Sequence, residues 1–215
     1  MRPLIKTRLY ESHHENTLSN SDLLFYFYHT NVWRNIQRPE SENYVKGVEA
    51  LNEGNPEAAY TYLNAEINEH PDNGYAHCYM ALICNFCNDT KLALQALNSS
   101  LELIPEADTE YRSFAHYSRG VLLTNLKMWE RAEADLNEAI RLNPEDVENY
   151  KSRAQLYFET ERYEESLNDL TRALKLDSKA DVNDLVLQLM AVAPTSEFME
   201  RITSTYQQLD QVTIH

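Results

Sequence analysis

An all-α solenoid of antiparallel helical hairpins is the fold this sequence predicts, on three observations. Pro71, Pro105 and Pro144 close successive units at spacings of 34 and then 39 residues, so one supersecondary unit is repeated. Small residues recur in register with them: Gly47, Ala81, Gly120 and Ala154 share one slot, and Ala59, Ala93, Ala132 and Ser166 share another. Only 4 of 215 residues are glycine, too few for the turns of an all-β domain and ample for long helices with short connections.

The small-residue slots have a simple physical reason. Two antiparallel helices joined by a tight turn bury one face each, and small side chains at the crossing let their axes approach. Leu63, Leu97, Leu136 and Leu170 share the slot that fills the seam from the second helix. Ala139 and Ala173 occupy a third slot, where the first two units carry Glu66 and Ser100. One hairpin cannot bury its apolar surface alone, so neighbours stack and the core runs along the array.

Taken in order, residues 1–39 form an N-terminal extension. Its first 20 residues are polar and without period, and read as a mobile tail or strap. His13-His14 lacks further ligands at metal-site spacing and reads as tail. Residues 21–37 are aromatic. Phe25, Tyr28, Val32 and Ile36 share a helical face, Ser21 is available as a cap and Pro39 as a stop, although the run Leu23–Tyr28 also suits a strand. Such a segment must pack on the first repeat, lie in a groove or meet another chain.

The repeats follow at 40–73, 74–107, 113–146 and 147–180, with an insertion at about 107–112. The third is the clearest: a helix through Gly120, a turn at about Lys127-Met128, and a second helix ending at Asn143-Pro144. Beyond it, Ser178-Lys-Ala-Asp181 has the form of a capping box. Val182, Leu185, Val186, Leu189 and Met190 then make one stripe, and after Pro194 Phe198, Ile202, Tyr206 and Leu209 make another. Residues 181–215 are therefore expected to cap the array with two helices, or else to offer a dimerisation surface.

Composition excludes several functions. A net charge of −15 without a basic stripe argues against nucleic acid and favours solubility. No run approaches the ~20 apolar residues of a membrane span, and the basic N-terminus has no apolar region behind it, so a cytoplasmic protein is expected. Cys84-Asn-Phe-Cys87 lies inside the first helix of the second repeat with no further ligand pair, which points to buried small side chains rather than a redox or zinc site. Neither a nucleophile–base set nor a phosphate-binding glycine loop occurs, and the acids fall mostly at solvent-facing helix positions. No catalytic residue, metal or cofactor is expected.

The 34-residue period, the small-residue slots, Tyr157, Tyr163 and the closing prolines resemble the tetratricopeptide repeat over about residues 40–180, roughly two thirds of the chain. Ser178 in place of a fourth proline and the lack of glycine in the second turn depart from that pattern. The resemblance implies a right-handed superhelical solenoid whose first helices line a concave ligand face. Carried over slot by slot, that face holds Tyr44, Val48 and Leu51; Tyr75, Cys78, Leu82 and Asn85; Phe114, Tyr117, Val121 and Thr124; and Glu148, Lys151, Gln155 and Phe158. The carboxylate clamp of heat-shock co-chaperones in this family is missing, because its slots hold Tyr44, Val48, Tyr79, Phe114 and Ser118.

The expected function is a non-enzymatic interaction scaffold gripping a peptide or helix in an aromatic groove. The expected contact residues are Tyr44, Val48, Tyr75, Cys78, Leu82, Phe114, Tyr117, Lys151 and Gln155, with Tyr44, Tyr75, Phe114 and Tyr117 as an open patch and Lys151 pairing a ligand carboxylate. The alternative is a structural subunit that self-associates through residues 21–37 or the C-terminal helices, the aromatic segment filling the groove.

Overall fold

The computed structural model describes residues 41–192 and 195–212, with side chains to residue 205. The segment 21–37, His13-His14 and Pro194 lie outside the described residues, as do the side chains of Tyr206 and Leu209. Among the described residues there are ten α-helices and no strand. They are α1 (Glu42–Asn52), α2 (Pro56–Glu69), α3 (Gly74–Phe86), α4 (Thr90–Leu103), α5 (Thr109–Asn125), α6 (Trp129–Leu142), α7 (Val147–Glu159), α8 (Tyr163–Leu176), α9 (Asn183–Val192) and α10 (Ser196–Val212).

One turn design recurs where each first helix ends. Gly54, Asn88, Lys127 and Glu161 occupy one slot and all adopt left-handed φ, at 71°, 56°, 58° and 59°. The amide that follows each reaches back to a carbonyl five residues earlier: Asn55 to Ala50, Asp89 to Cys84, Met128 to Leu123 and Arg162 to Tyr157. This is the bonding of a left-handed helix C-cap, and it satisfies carbonyls that the helix leaves over. Asn55 and Asp89 go on to cap the next helix with their side chains, accepting from Ala58 N–H and Leu92 N–H at 3.1 and 3.2 Å.

The chain divides into two compact units, one ending at Leu122 and the other beginning at Leu123. In the first, α1 packs on α2 and α3 on α4, and α2 joins the two hairpins by packing on α3. Ala59, Leu63 and Ala93 are wholly buried and Leu97 nearly so, as their slots require. A Cβ on Gly47 would lie 2.7 Å from Leu63 Cγ, so glycine is what lets α2 come this close. In the second unit α7 packs on α8 and on α6. The helices α9 and α10 share one core with α7 and α8: Ala154, Leu170 and Leu174 meet Val182, Leu185, Val186, Leu189, Phe198 and Ile202.

Four local expectations need correction. The Ser178–Asp181 capping box does not form, because these residues are a turn after α8 and α9 starts at Asn183. Met190 is 37 % exposed rather than part of the buried stripe. Cys87 is the C-cap of α3, one residue past the helix. Finally, Glu66, Asp135 and Asp169 are buried acids. Glu66 is held by the Ser41 hydroxyl at 2.6 Å and the Asn73 amide at 2.8 Å, which offsets its desolvation.

Candidate functional site

In the first unit the first helices bring tyrosines together. Tyr44 meets Tyr79 edge-on with ring centroids 6.0 Å apart, and Tyr75 meets Tyr111 the same way at 4.6 Å. The hydroxyls of Tyr79 and Tyr111 are 3.4 Å apart, and Tyr75 donates to Asp108 at 2.8 Å. Phe114 and Tyr117 lie beside one another at 6.1 Å. Asp108 also accepts from Tyr111 N–H at 3.2 Å, so it caps α5 while anchoring Tyr75. Tyr79, Tyr111 and Asp108 were not among the expected contact residues. Their signal is the insertion, the one break in the period, which supplies Asp108 and Tyr111 together.

Most of the expected contact residues in this unit lie inside. Tyr44, Cys78, Leu82, Phe114 and Tyr117 are 1–5 % exposed, so three of the four rings expected as an open patch, Tyr44, Phe114 and Tyr117, do not stand open. Burial pushes the pKa of the Cys78 thiol up to about 12. It is an inert packing group. Val48 and Tyr75 are half-buried and keep part of their surface outside. Beneath this unit's first hairpin, Ser41, Glu66, His70, Asp72 and Asn73 line a polar hollow of about 260 Å³.

In the second unit Glu148, Lys151, Gln155 and Phe158 are all half-buried. Lys151 donates to Glu148 at 2.8 Å and Gln155 to Glu159 at 2.9 Å, so both polar heads are held along their own helix. A second arrangement in this unit is a ladder of arginines and tyrosines. Arg153 donates to both Asp169 carboxylate oxygens at 2.7 Å and to Asn137 at 2.6 Å, and its guanidinium lies 5.6 Å from the Tyr157 ring. Arg162 stacks on the same ring at 4.2 Å and forks onto Glu133, which also accepts from the Tyr157 hydroxyl at 3.0 Å. Burial raises the Asp169 carboxyl even against the guanidinium, while the Asp169 bond raises Arg153 despite its own desolvation. The ladder ties α6, α7 and α8 together.

An apolar groove of about 360 Å³ lies on the C-terminal helices, lined by Asn183, Val186, Leu187, Met190, Ile202 and Thr203. Leu187 is 63 % exposed there. Among the described residues no group of three or more His, Cys, Asp or Glu side chains could hold a metal ion. No helix there is long and apolar enough to cross a membrane.

The tetratricopeptide-repeat profile matches residues 113–146 and again residues 148–179, the third and fourth helical pairs. Residues 113–179 therefore carry two tetratricopeptide repeats. Human tetratricopeptide repeat protein 6 is 24 % identical over 143 residues, covering 66 % of this chain and 26 % of that protein, so the chain spans about a quarter of its length. Among solved structures, MamA from Desulfovibrio magneticus RS-1 superposes with a TM-score of 0.63 at 19 % identity, over 79 % of this chain and 94 % of that one. YrrB, described as a tetratricopeptide-repeat protein with an unusual peptide-binding site, gives 0.58 at 20 % identity, over 68 % and 73 %. These likenesses carry the all-helical repeat fold. Tetratricopeptide repeats typically serve as scaffolds for protein–protein interaction, and the two matched here support that role.

Proposed function

We propose that the scaffold binds a peptide or a helix through its first-helix faces, with no reaction of its own. The observation that carries this reading is the half-open row Glu148, Lys151, Gln155 and Phe158 on α7, one residue per helical turn. Such a row offers an extended ligand an apolar ring, an amide and a charged pair in sequence. In this reading Lys151 exchanges part of its pairing with Glu148 for a ligand carboxylate, which keeps the cost of binding small. In the first unit Val48 and Tyr75 supply the accessible contacts. Tyr44, Cys78, Leu82, Phe114 and Tyr117 shape the face from behind, where rigid aromatic packing lowers the ordering cost of binding. The chain is read as a cytoplasmic adaptor, its α9–α10 pair capping the array.

Peptides selected from a random library on the full chain, followed by titration calorimetry, test this. Lys151→Glu and Val48→Lys are each expected to weaken selected peptides by tenfold or more while the far-ultraviolet helix signal stays unchanged. Peptides whose affinity ignores both substitutions would overturn the assignment of the first-helix faces.

A further inference from the structure

The groove on the C-terminal helices is apolar where the outer side of a capping pair should be polar. Its floor is Val186 and Ile202, 4 and 1 % exposed, and both belong to the core that α9 and α10 share with α7 and α8. Its walls include Leu187 and Met190 from α9 and Thr203 from α10. Leu187 and Met190 are exposed and stand one helical turn apart, so two large apolar side chains rise together beside the floor. The Thr203 hydroxyl donates to the Met199 carbonyl at 2.9 Å and is satisfied within its own helix. An acid stands on each bank. Asp184 lies one turn before Leu187 on α9, Glu200 lies one turn before Thr203 on α10, and both are exposed. From residue 181 to residue 205 there are four acids and one base, and that base, Arg201, donates to Glu164 of α8.

We propose that this groove docks an amphipathic helix of a protein partner, apolar along one stripe and flanked by lysine or arginine. The apolar floor selects a helix. An extended peptide would lay unpaired amides over Val186 and Ile202, whereas a helix brings its backbone groups already bonded. The α9 side of the groove runs from Asn183 to Met190, ~10 Å of helix rise. That length matches two turns of a partner carrying apolar anchors at i, i+3 or i+4, and i+7. The acids select the flanks, because Asp184 and Glu200 attract a cation on either side of the stripe. The same two acids disfavour other occupants. A second copy meeting this face would bring a second Asp184 and Glu200 to the same symmetric contact, and the anionic surface of a membrane would meet both. The groove is separate from the first-helix faces, and its occupant does not depend on what they bind.

The test uses the full chain and two fluorescein-labelled synthetic peptides, each locked as a helix by side-chain lactam bridges. Both carry leucines at i, i+4 and i+7; one has lysines along the flanks of that stripe, the other glutamates. Fluorescence anisotropy is expected to show the lysine-flanked helix binding about tenfold or more tighter than the glutamate-flanked one. Leu187→Lys should weaken it by about tenfold or more, the loss of one buried leucine anchor. Asp184→Lys combined with Glu200→Lys should reverse the order of the two peptides. All three positions are exposed, so the far-ultraviolet helix signal should stay unchanged. Lys151→Glu, which probes the first-helix face, should not weaken the lysine-flanked helix, so the two readings fail separately. Equal binding by the native chain and Leu187→Lys would mean that the peptide sits elsewhere on an acidic surface, and would overturn the proposal. So would a preference for lysine that survives the charge reversal. A concentration-dependent dimer in sedimentation velocity that Leu187→Lys dissolves would give the groove to a second copy instead.

Discussion

The four left-handed turn positions are equivalent in place but not in cost, and this gives a quantitative test of the repeat register. A residue with a Cβ in this conformation costs roughly 1–2 kcal/mol, whereas glycine adopts it freely. Gly54 meets the requirement; Lys127 and Glu161 carry the strain at φ 58° and 59°. Both are exposed, so replacing them removes little packing. Glycine returns about 0.4–1 kcal/mol through the greater freedom of the unfolded chain. Lys127→Gly and Glu161→Gly should therefore each stabilise by about 0.5–1 kcal/mol, and the reverse change Gly54→Ala should destabilise by about 1 kcal/mol. Lying 34 residues apart with no shared partner, the two gains should add in the double variant. Urea unfolding should show a higher midpoint at unchanged slope, and heating a melting temperature raised by roughly 2–4 °C per kcal/mol. If either glycine lowers the midpoint, the turn is not left-handed at that slot and the equivalence of the four turns is wrong.

Two further substitutions probe the packing and the charges. Gly74→Ala would place a Cβ 2.8 Å from the Ile104 backbone nitrogen and 2.9 Å from Leu103 Cβ; neither can yield cheaply, so thermal melts should report a loss of roughly 1–3 kcal/mol. Arg153→Leu should cost about 2–4 kcal/mol at neutral pH, because it strands the Asp169 carboxylate, 8 % exposed, without its partner. Asp169 is already raised by burial, and losing the guanidinium raises it further. A folded-state pKa above the unfolded one stabilises below the unfolded value and loses that stabilisation as pH rises. The deficit of Arg153→Leu should thus shrink as pH falls toward 4, and urea midpoints measured at pH 4 and pH 7 with the same deficit would contradict this.

The hairpins were legible because their determinants are local and repeated. A small residue at each crossing, a leucine opposite and a proline at the end of three of the four units left one register, and the helices occur in it. The turns were legible only in part: Gly54 and Asn88 announce left-handed backbone, whereas Lys127 and Glu161 do not, and only the repeat identifies them. The start of α9 was misread because Ser178 and Asp181 satisfy a capping pattern that the turn after α8 overrides. Buried acids escaped notice because a carboxylate looks the same in sequence whether it meets water or, like Glu66, the Ser41 hydroxyl and the Asn73 amide. The slots expected on the inner face lie on the first helices, but their exposure depends on what lies across from them, and periodicity carries no information about that.

The insertion before the third repeat links the fold to the site. The first helix of that repeat, α5, has 17 residues where α3 and α7 have 13 each, so the added chain becomes helix rather than loop. Its first turn needs a cap, and Asp108 supplies one; the same carboxylate then receives the Tyr75 hydroxyl, and Tyr111 packs against the Tyr75 ring. These residues fix Tyr75 at both its ring and its hydroxyl, which leaves it fewer rotamers to lose on binding. An interruption of the period, which taken alone weakens the repeat pattern, is therefore what makes the aromatic face of the first unit rigid. The fourth repeat has no such insertion, and its inner row is polar and half-open instead.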